Sequence, residues 1–322
     1  MKRALITGGN GFVASHLARA LLERGDSVTV LERAPRPHSA LTLEGIRDEV
    51  EVVEADLRDA GRVAAAVGGA GFDVVFHLAG VSVVGPALAD PAGAFEANVA
   101  GTWNLLEACR AAAVPAFVTA SSEKAYGPTS PLPYREEMLL RPASPYEASR
   151  AAADAIALSY WPAFGLPVAV ARFSNVYGGG DANFSRLVPE AVAAVLDGRP
   201  PRLRTDGSPE RDFLYVSDAV AAFFAVERVL ADGGAGAGEA FNAGGERTYA
   251  VAEVLAAIAA VSGSGLEPEF LGSADPADVV DRQFLDSTKL RELTGWAPRV
   301  ELREGLLRTL EWYREHPELR PK

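Results

Sequence analysis

Apolar and polar positions change period at regular intervals along the first half of the chain. Ala4-Leu5-Ile6 is a short apolar run that reads as a strand, and Thr7-Gly8-Gly9-Asn10-Gly11 is a turn few residues other than glycine can make. Phe12 to Arg24 then takes the helical period, with Val13, Leu17 and Leu21 spaced by four on one face. Ser27 to Leu31 is a second strand, rich in β-branched residues, that ends at Glu32. Val50 to Ala55 alternates as a strand and leads into Asp56-Leu57, and Asp73 to Leu78 is another, opening into Ala79-Gly80. Asn98 to Ala113 is helical, Ala116 to Ala120 is a strand running into Ser121-Ser122, and Leu166 to Phe173 is one more strand. This alternation predicts a doubly wound α/β fold, a parallel sheet with helices on both faces. Ligands on such sheets sit at the carboxyl ends of the strands. Glu32, Asp56, Ala79-Gly80 and Ser121-Ser122 all fall at such ends and should line one cleft.

After Phe173 the pattern loosens. Gly178-Gly179-Gly180 and Pro200-Pro201 punctuate it, and Gly233 to Gly238 reads as a loop. Phe213 to Val216 is a strand, and Asp218 is placed to cap the helix after it. Residues 1–173 are therefore expected to form a dinucleotide-binding domain to which 213–230 return. Residues 174–212 and 231–322 form a smaller α/β C-terminal lobe over the cleft.

The segment Ala4 to Glu32 carries the first chemistry. A glycine turn lets backbone N–H groups approach a pyrophosphate, and the helix that follows turns its positive N-terminus toward the same group. Gly8, Gly11, Phe12 and Val13 occupy those positions. An acidic residue about 20 residues later, at the tip of the second strand, can take both adenosine ribose hydroxyls. Glu32 stands there and favours NAD over NADP, because a 2′-phosphate would sit against its carboxylate. Arg33, directly after it, is the residue that would welcome that phosphate instead.

Composition narrows the field. The chain has 322 residues, enough for one large domain or two smaller ones, and its 48% hydrophobic and 23% charged residues are those of a soluble globular protein. A net charge of −12 argues against nucleic acid or an anionic membrane surface as partner. Any phosphate must be met by backbone or by local arginines. One cysteine, Cys109, excludes an intrachain disulfide and reads as a small core residue of an alanine-rich helix. Four scattered histidines offer no metal-ligand spacing. Lys2 and Arg3 precede too few apolar residues for a signal peptide, and no apolar run approaches membrane-spanning length, so the cytoplasm is the expected location.

Ser144-Pro145-Tyr146-Glu147 marks a helix start, with Ser144 as N-cap, Pro145 at the first helical position and Glu147 completing a capping box. Tyr146 then lies in the first turn, where the helix dipole favours a phenolate. Arg150 is one turn further on the same face, so its cation lies near Tyr146 and makes the tyrosine a candidate general base.

Several ordered segments complete the pattern. They are Thr7-Gly-Gly-Asn-Gly-Phe12, His77-Leu-Ala-Gly80, Asn98-Val-Ala-Gly-Thr102, Ser122-Glu-Lys-Ala-Tyr-Gly127, Tyr146-x-x-x-Arg150 and Arg172-Phe-Ser-Asn-Val-Tyr-Gly178. Arg211-Asp-Phe-Leu-Tyr-Val216, Phe241-Asn-Ala-Gly244 and the tail Arg282…Asp286-Ser-Thr-Lys289…Gly295-Trp296 follow. With these motifs the chain resembles, from end to end, the nucleotide-sugar epimerases and dehydratases of the extended short-chain dehydrogenase/reductase family. The resemblance implies a tightly held nicotinamide cofactor that removes and returns a hydride on a nucleotide-diphosphate sugar. It adds Asp56, Leu57, Leu78, Ala79, Gly80, Asn98, Tyr146 and Arg150 to the cofactor-binding residues. Tyr146 would deprotonate the C4 hydroxyl, and Ser122 would hydrogen-bond the same oxygen. Asn175, Arg186, Leu187, Arg204, Arg211 and Arg282 would hold the substrate, the arginines suiting its diphosphate.

Two positions depart from the family pattern. Ala14 takes the third glycine position, which still permits close helix–strand packing. Arg150 stands where the family nearly always has lysine; its planar fork is longer and always charged. Slowed or lost turnover, leaving an NAD-binding sensor or scaffold, is the reading this substitution motivates.

The step after oxidation depends on Glu123 and Lys124. A 4-epimerase needs no further acid or base, whereas a 4,6-dehydratase needs a base for the C5 proton and an acid for the departing C6 hydroxide. Ser-Glu-Lys at 122–124 is most similar to the Ser-Asp-Lys of CDP-glucose 4,6-dehydratases, with Glu123 as acid and Lys124 as base. Burial would have to keep the first protonated and the second neutral, and an ion pair between them would keep both charged. The expected activity is thus a 4,6-dehydratase, with a 4-epimerase as the alternative. The family commonly dimerises through two helices, here near 95–113 and 145–164, whose alanine-rich faces permit close packing.

Overall fold

The computed structural model describes residues 1–128, 132–203, 205–231, 234–272 and 280–321. Its strands are β1 (Arg3–Thr7), β2 (Ser27–Glu32), β3 (Glu51–Glu54), β4 (Val74–His77), β5 (Phe117–Ser122), β6 (Val168–Phe173), β7 (Asn175–Tyr177), β8 (Arg202–Leu203), β9 (Glu210–Tyr215), β10 (Glu239–Ala243), β11 (Thr248–Ala250), β12 (Glu269–Phe270) and β13 (Arg282–Gln283). Seven of them form one sheet in the order β10-β6-β5-β4-β1-β2-β3. Every pairing in it is parallel. Strand order reverses between β1 and β4, which opens a crevice at their carboxyl ends.

Parallel strands covered on both faces must be apolar almost throughout. All four residues of β4 and all six of β6 are buried accordingly. One face is covered by the helices Phe12–Glu23 and Val216–Ala231, whose Leu17, Leu21, Phe223 and Val226 are sealed. The other is covered by Ala60–Val67, Gly101–Ala111 and Pro145–Phe164, through Val63, Leu105, Leu106, Cys109 and Ala157. Fully burying each such leucine or phenylalanine contributes about 1.5–3 kcal/mol. Among the described residues, no helix is long and apolar enough to cross a membrane.

The second lobe is built around β9. It pairs antiparallel with β11 and parallel with β13 and β7. The helices Leu187–Leu196, Val251–Ser262 and Leu302–Glu315 close its core through Val192, Val254, Ile258 and Leu310. Registers Asn175↔Phe213 and Gln283↔Arg211 bring three distant segments side by side.

The elements differ from the sequence expectation in four places. The strand at 213–216 begins earlier, at Glu210, and stays with the second lobe; only the helix after it returns to the first sheet. β10, expected in the second lobe, is the seventh strand of the main sheet, because Glu239–Ala243 pairs along Ala169–Phe173. Asp218 is not a helix cap: the helix starts at Val216, and Asp218 Oδ2 accepts from the backbone N–H groups of Arg299 (3.0 Å) and Val300 (2.9 Å). The helix expected from Asn98 opens with a π turn, Glu96–Ala100, and becomes regular at Gly101–Ala111.

Gly8 has φ of +76°, and a Cβ there would meet Ala79 Cα at 2.9 Å. Gly25 has φ of +84° and open space around it. A left-handed non-glycine residue costs about 1–3 kcal/mol. Gly25→Ala should cost that backbone term alone, and Gly8→Ala clearly more, in denaturant unfolding. Equal losses would mean that the close approach to Ala79 carries no weight.

Candidate active site

The turn after β1 and the ends of β2 and β3 supply the first groups of the crevice. Gly8 N–H donates to Leu31 O and Gly11 N–H to Gly8 O, both at 2.7 Å, which folds the turn onto β2. Gly11 caps the Phe12–Glu23 helix without a side-chain bond, so no capping side chain occupies the helix N-terminus. Phe12 is buried and Val13 half-buried beneath this end. Glu32 follows at the tip of β2, 3% exposed. Arg47 Nη2 pairs with its Oε1 at 2.8 Å, while Oε2 is buried without a hydrogen-bond partner. A buried acceptor in that state suits a ribose diol. Arg33 points outward and is exposed. Asp56 is held by Arg58, whose Nη2 lies 2.7 Å away and keeps the carboxyl below the usual carboxylate range, while Leu57 is buried against Gly101.

A buried polar relay fixes the far wall. Thr7 Oγ1 accepts from the N–H groups of Leu78 (3.2 Å) and Ala79 (3.1 Å), and so gives its own proton to His77 Nδ1 at 2.8 Å. His77 Nε2 then donates to Thr102 Oγ1 at 2.9 Å, and Thr102 donates to Asn98 O at 2.6 Å. Burial drives the imidazole down to about 3, so it is neutral, as this relay requires. Asn98 in turn exchanges two hydrogen bonds with Val81 (2.7 and 3.0 Å) and donates to Ser149 Oγ at 2.8 Å. A Cβ on Gly80 would meet Asn98 Oδ1 at 2.5 Å and Arg150 Nη2 at 3.3 Å.

The Pro145–Phe164 helix begins as its sequence predicts. Ser144 Oγ accepts from Glu147 N–H, and the Glu147 carboxylate accepts from Ser144 N–H, a complete capping box. Tyr146 and Arg150 are nearly buried, Tyr146 packed with Ala87 and Ala94 and the guanidinium carbon 5.6 Å from its ring centre. Arg150 Nη2 donates to Val81 O at 3.2 Å, while its Nε is buried without a partner.

Ser122, Glu123 and Lys124 open a 3₁₀ turn, Glu123–Tyr126, at the end of β5, and Ser122 Oγ accepts from Lys124 N–H at 3.3 Å. Glu123 is 1% exposed. Its Oε1 accepts from Asn175 Nδ2 at 2.8 Å, and Oε2 is buried with no partner. Burial raises its proton affinity, against the opposing fields of Lys124 and Arg211. Lys124 Nζ donates to Gln283 Oε1 at 2.9 Å. Among the described residues, Glu123 and Lys124 form no ion pair with each other.

The second sheet delivers the remaining candidates unevenly. Asn175 bridges Glu123 and Asp212 O. Arg211 is half-buried beside Glu123, and burial lowers its proton affinity. Arg282 lies further out, with its side chain 52% exposed and paired to Glu210 at 2.9 Å. Arg186 pairs with Asp181 at 2.8 Å and reaches Ser82 Oγ at 3.1 Å, and Leu187 starts the next helix, half-buried. Arg204 lies outside the described residues.

Three residues join the site that the sequence reading missed. Gln283 anchors Lys124, Arg47 accompanies Glu32, and Asp212 lies buried behind Asn175. Gln283 and Asp212 each adjoin a motif arginine, which was the available signal; Arg47 sits in a segment without a motif.

Fold and site together define a doubly wound, dinucleotide-binding enzyme with a tyrosine poised at a helix start. Within that class the chain belongs to the NAD dependent epimerase/dehydratase family, whose model matches residues 4–244. It is 36% identical over 327 residues to the UDP-glucose 4-epimerase of Mycolicibacterium smegmatis, covering 97% of this chain and 98% of that protein. It is 34% identical over 320 residues to a dTDP-glucose 4,6-dehydratase of Streptomyces griseus, covering 97% and 94%. The dTDP-glucose 4,6-dehydratase of Streptomyces venezuelae, solved with NAD bound, superposes with a TM-score of 0.87 at 31% identity over 98% of both chains. NAD is the family's cofactor, and the glycine turn and the unpartnered Oε2 of Glu32 fit it.

Asp212 gives this site a measurable pH signature. Burial and the neighbouring Glu123 push its carboxyl up to about 8, against about 3.9 in an unfolded chain. The folded state therefore keeps a proton that the unfolded state loses. The resulting stability is full below about pH 4 and is lost as pH rises through 8. Thermal midpoints of wild type and Asp212→Asn should accordingly converge or cross toward the variant between pH 5 and 9. A constant difference across that range would refute the buried neutral carboxyl.

Proposed function

We propose that the protein is a nucleotide-sugar 4,6-dehydratase working through a transient 4-keto sugar. The observation that carries this reading is Glu123, a sealed carboxyl with one unpartnered oxygen, raised proton affinity and no ion pair to Lys124. A 4-epimerase has no use for such an acid.

Gly8, Gly11, Phe12 and Val13 would hold the pyrophosphate, and Glu32 the adenosine ribose. Asp56, Leu57, Leu78, Ala79, Gly80 and Asn98 would line the rest of the cofactor, as far as Tyr146 and Arg150. NAD, when bound, would supply the acceptor for the C4 hydride and, once water has left, the donor that returns it to C6 while C5 regains a proton. Tyr146 takes the proton from the C4 hydroxyl, and Ser122 Oγ hydrogen-bonds that oxygen and steadies it as it becomes a carbonyl. Arg150 sets its guanidinium carbon 5.6 Å from the centre of the tyrosine ring. The new C4 ketone acidifies C5–H, and Lys124, steadied by Gln283, takes that proton. Glu123 protonates the departing C6 hydroxyl, which leaves as water. Asn175, Arg186, Leu187, Arg204, Arg211 and Arg282 would bind the nucleotide diphosphate, whose charge offsets the cost of burying Arg211.

A 4-epimerase is the second reading, favoured by the 36% identity to such an enzyme over nearly the whole chain. Mass spectrometry of CDP-, dTDP-, UDP- and GDP-hexoses incubated with enzyme and NAD separates the two. The dehydratase gives a product lighter by one water; an unchanged mass with a new epimer by NMR would replace that reading. Glu123→Gln should leave NAD reduction intact and slow water loss by about 100-fold or more.

Arg150 is held by Val81 O within the site and still faces Tyr146, so an active rather than a decayed centre is expected. Arg150→Lys should change turnover by less than about tenfold, or about 1.4 kcal/mol in barrier. A hundredfold gain would instead mark this chain as an impaired descendant.

We also propose a homodimer in the cytoplasm. The helices Gly101–Ala111 and Pro145–Phe164 lie together, Tyr160 donating to Glu107 at 2.8 Å, and leave Trp103, Trp161 and Phe164 exposed for a partner copy.

A further inference from the structure

Beneath the site runs a chain of buried side-chain hydrogen bonds that the proposed chemistry does not use. Asp154 lies on the Pro145–Phe164 helix, one turn beyond Arg150 and two beyond Tyr146. Its Oδ2 accepts from Arg172 Nε at 2.8 Å, with side chains only 2% and 4% exposed. Arg172, on β6, donates from Nη1 to the hydroxyl of Tyr126, also at 2.8 Å. Tyr126 closes the 3₁₀ turn that presents Glu123 and Lys124. Its hydroxyl donates to Asn242 Oδ1 on β10 at 2.8 Å, and Asn242 Nδ2 donates to the carbonyls of Tyr134 (3.0 Å) and Asp286 (3.2 Å). The ring stacks on Tyr134 with centres 5.0 Å apart.

One guanidinium therefore joins the helix bearing Tyr146 to the turn bearing Glu123 and Lys124. A planar fork fixes two directions at once, which an ammonium on a flexible stem does not. Stability is a weak reason for such a buried pair, since apolar replacements of equal volume are often neutral or better. Geometry is a stronger one, because a displacement of about 1 Å at a reacting group can cost about 100-fold in rate. The helix has 20 residues packed along the sheet, whereas the turn has four. Loosening the link should shift the turn and leave the helix in place.

We propose that Arg172 is a positioning residue that holds the elimination pair in register with the oxidising tyrosine, so that both act on one sugar in one pose. This rests on the roles given above to Tyr146, Glu123 and Lys124.

The test compares wild type, Tyr126→Phe and Arg172→Lys as full-length holoenzymes. Tyr126→Phe deletes only the hydroxyl; Arg172→Lys keeps the charge opposite Asp154 but loses the second arm. In single turnovers on the sugar that wild type dehydrates, cofactor reduction should be unchanged in Tyr126→Phe. Water loss should slow about 10- to 100-fold. Arg172→Lys should reproduce that split if it folds. Equal slowing of both steps would assign the network a merely structural role and overturn the proposal, as would no slowing of either. Amide hydrogen exchange on the same proteins gives a readout independent of activity. Exchange should rise at 123–127 and stay low at 146–154, and an unchanged pattern overturns the positioning claim. If wild type removes water from no substrate, the dehydratase reading falls by itself, and the exchange pattern alone decides the role of Arg172.

Discussion

A neutral imidazole sealed between two threonines is the contact on which the crevice depends. The ends of β1 and β4 must be held level within a sheet whose interior offers no water to satisfy polar groups. His77 manages this because its two ring nitrogens serve different neighbours: it accepts from Thr7 on β1 and donates toward Thr102 on the helix behind. The threonine on β1 simultaneously collects the first two amides beyond β4. Backbone that would otherwise be orphaned is thereby satisfied, and the loop 78–81 is set at a fixed height. A charged imidazole would lose the acceptor at Nδ1, which is why burial and the hydrogen-bond pattern agree on the uncharged form.

From that wall outward, electrostatics divides the site in two. At the end of β2 the acidic residue has a cation beside it, Arg47 alongside Glu32. The end of β5 and the second sheet instead gather two buried acids, Glu123 and Asp212, with Asn175 donating to the carboxylate of the first and the backbone carbonyl of the second. Burial raises the hold of both on a proton, Glu123 raises that of Asp212 further, and Arg211 stands nearby as a cation whose own burial is unfavourable. Charge and proton placement are thus linked through one small cluster.

Local signals were enough for the elements that need only their own sequence. The turn after β1, the end of β2 at Glu32 and the capping box at Ser144 all formed where the residue pattern put them. What the pattern could not show were partnerships across long separations. Asp218 looks like a cap in its own neighbourhood, but its carboxylate is claimed by amides about 80 residues away. Gln283 is an ordinary polar residue until β13 lies beside β9 and brings it to Lys124. The place of β10 is likewise decided by which edge of the sheet remains open, and that edge exists only once β6 is in position. The arginines divide on the same ground: Arg211 comes into the cluster, while Arg282 rests on Glu210 at the rim.

Cys109 is sealed in the layer between the sheet and the Gly101–Ala111 helix, and burial pushes its thiol well above the usual range. As the sole cysteine of the chain it leaves the folded surface chemically silent toward thiol reagents. Any single cysteine introduced at the surface would then react alone, without first removing a native one. The natural background is already suited to attaching one spectroscopic reporter on each lobe and watching the distance across the crevice.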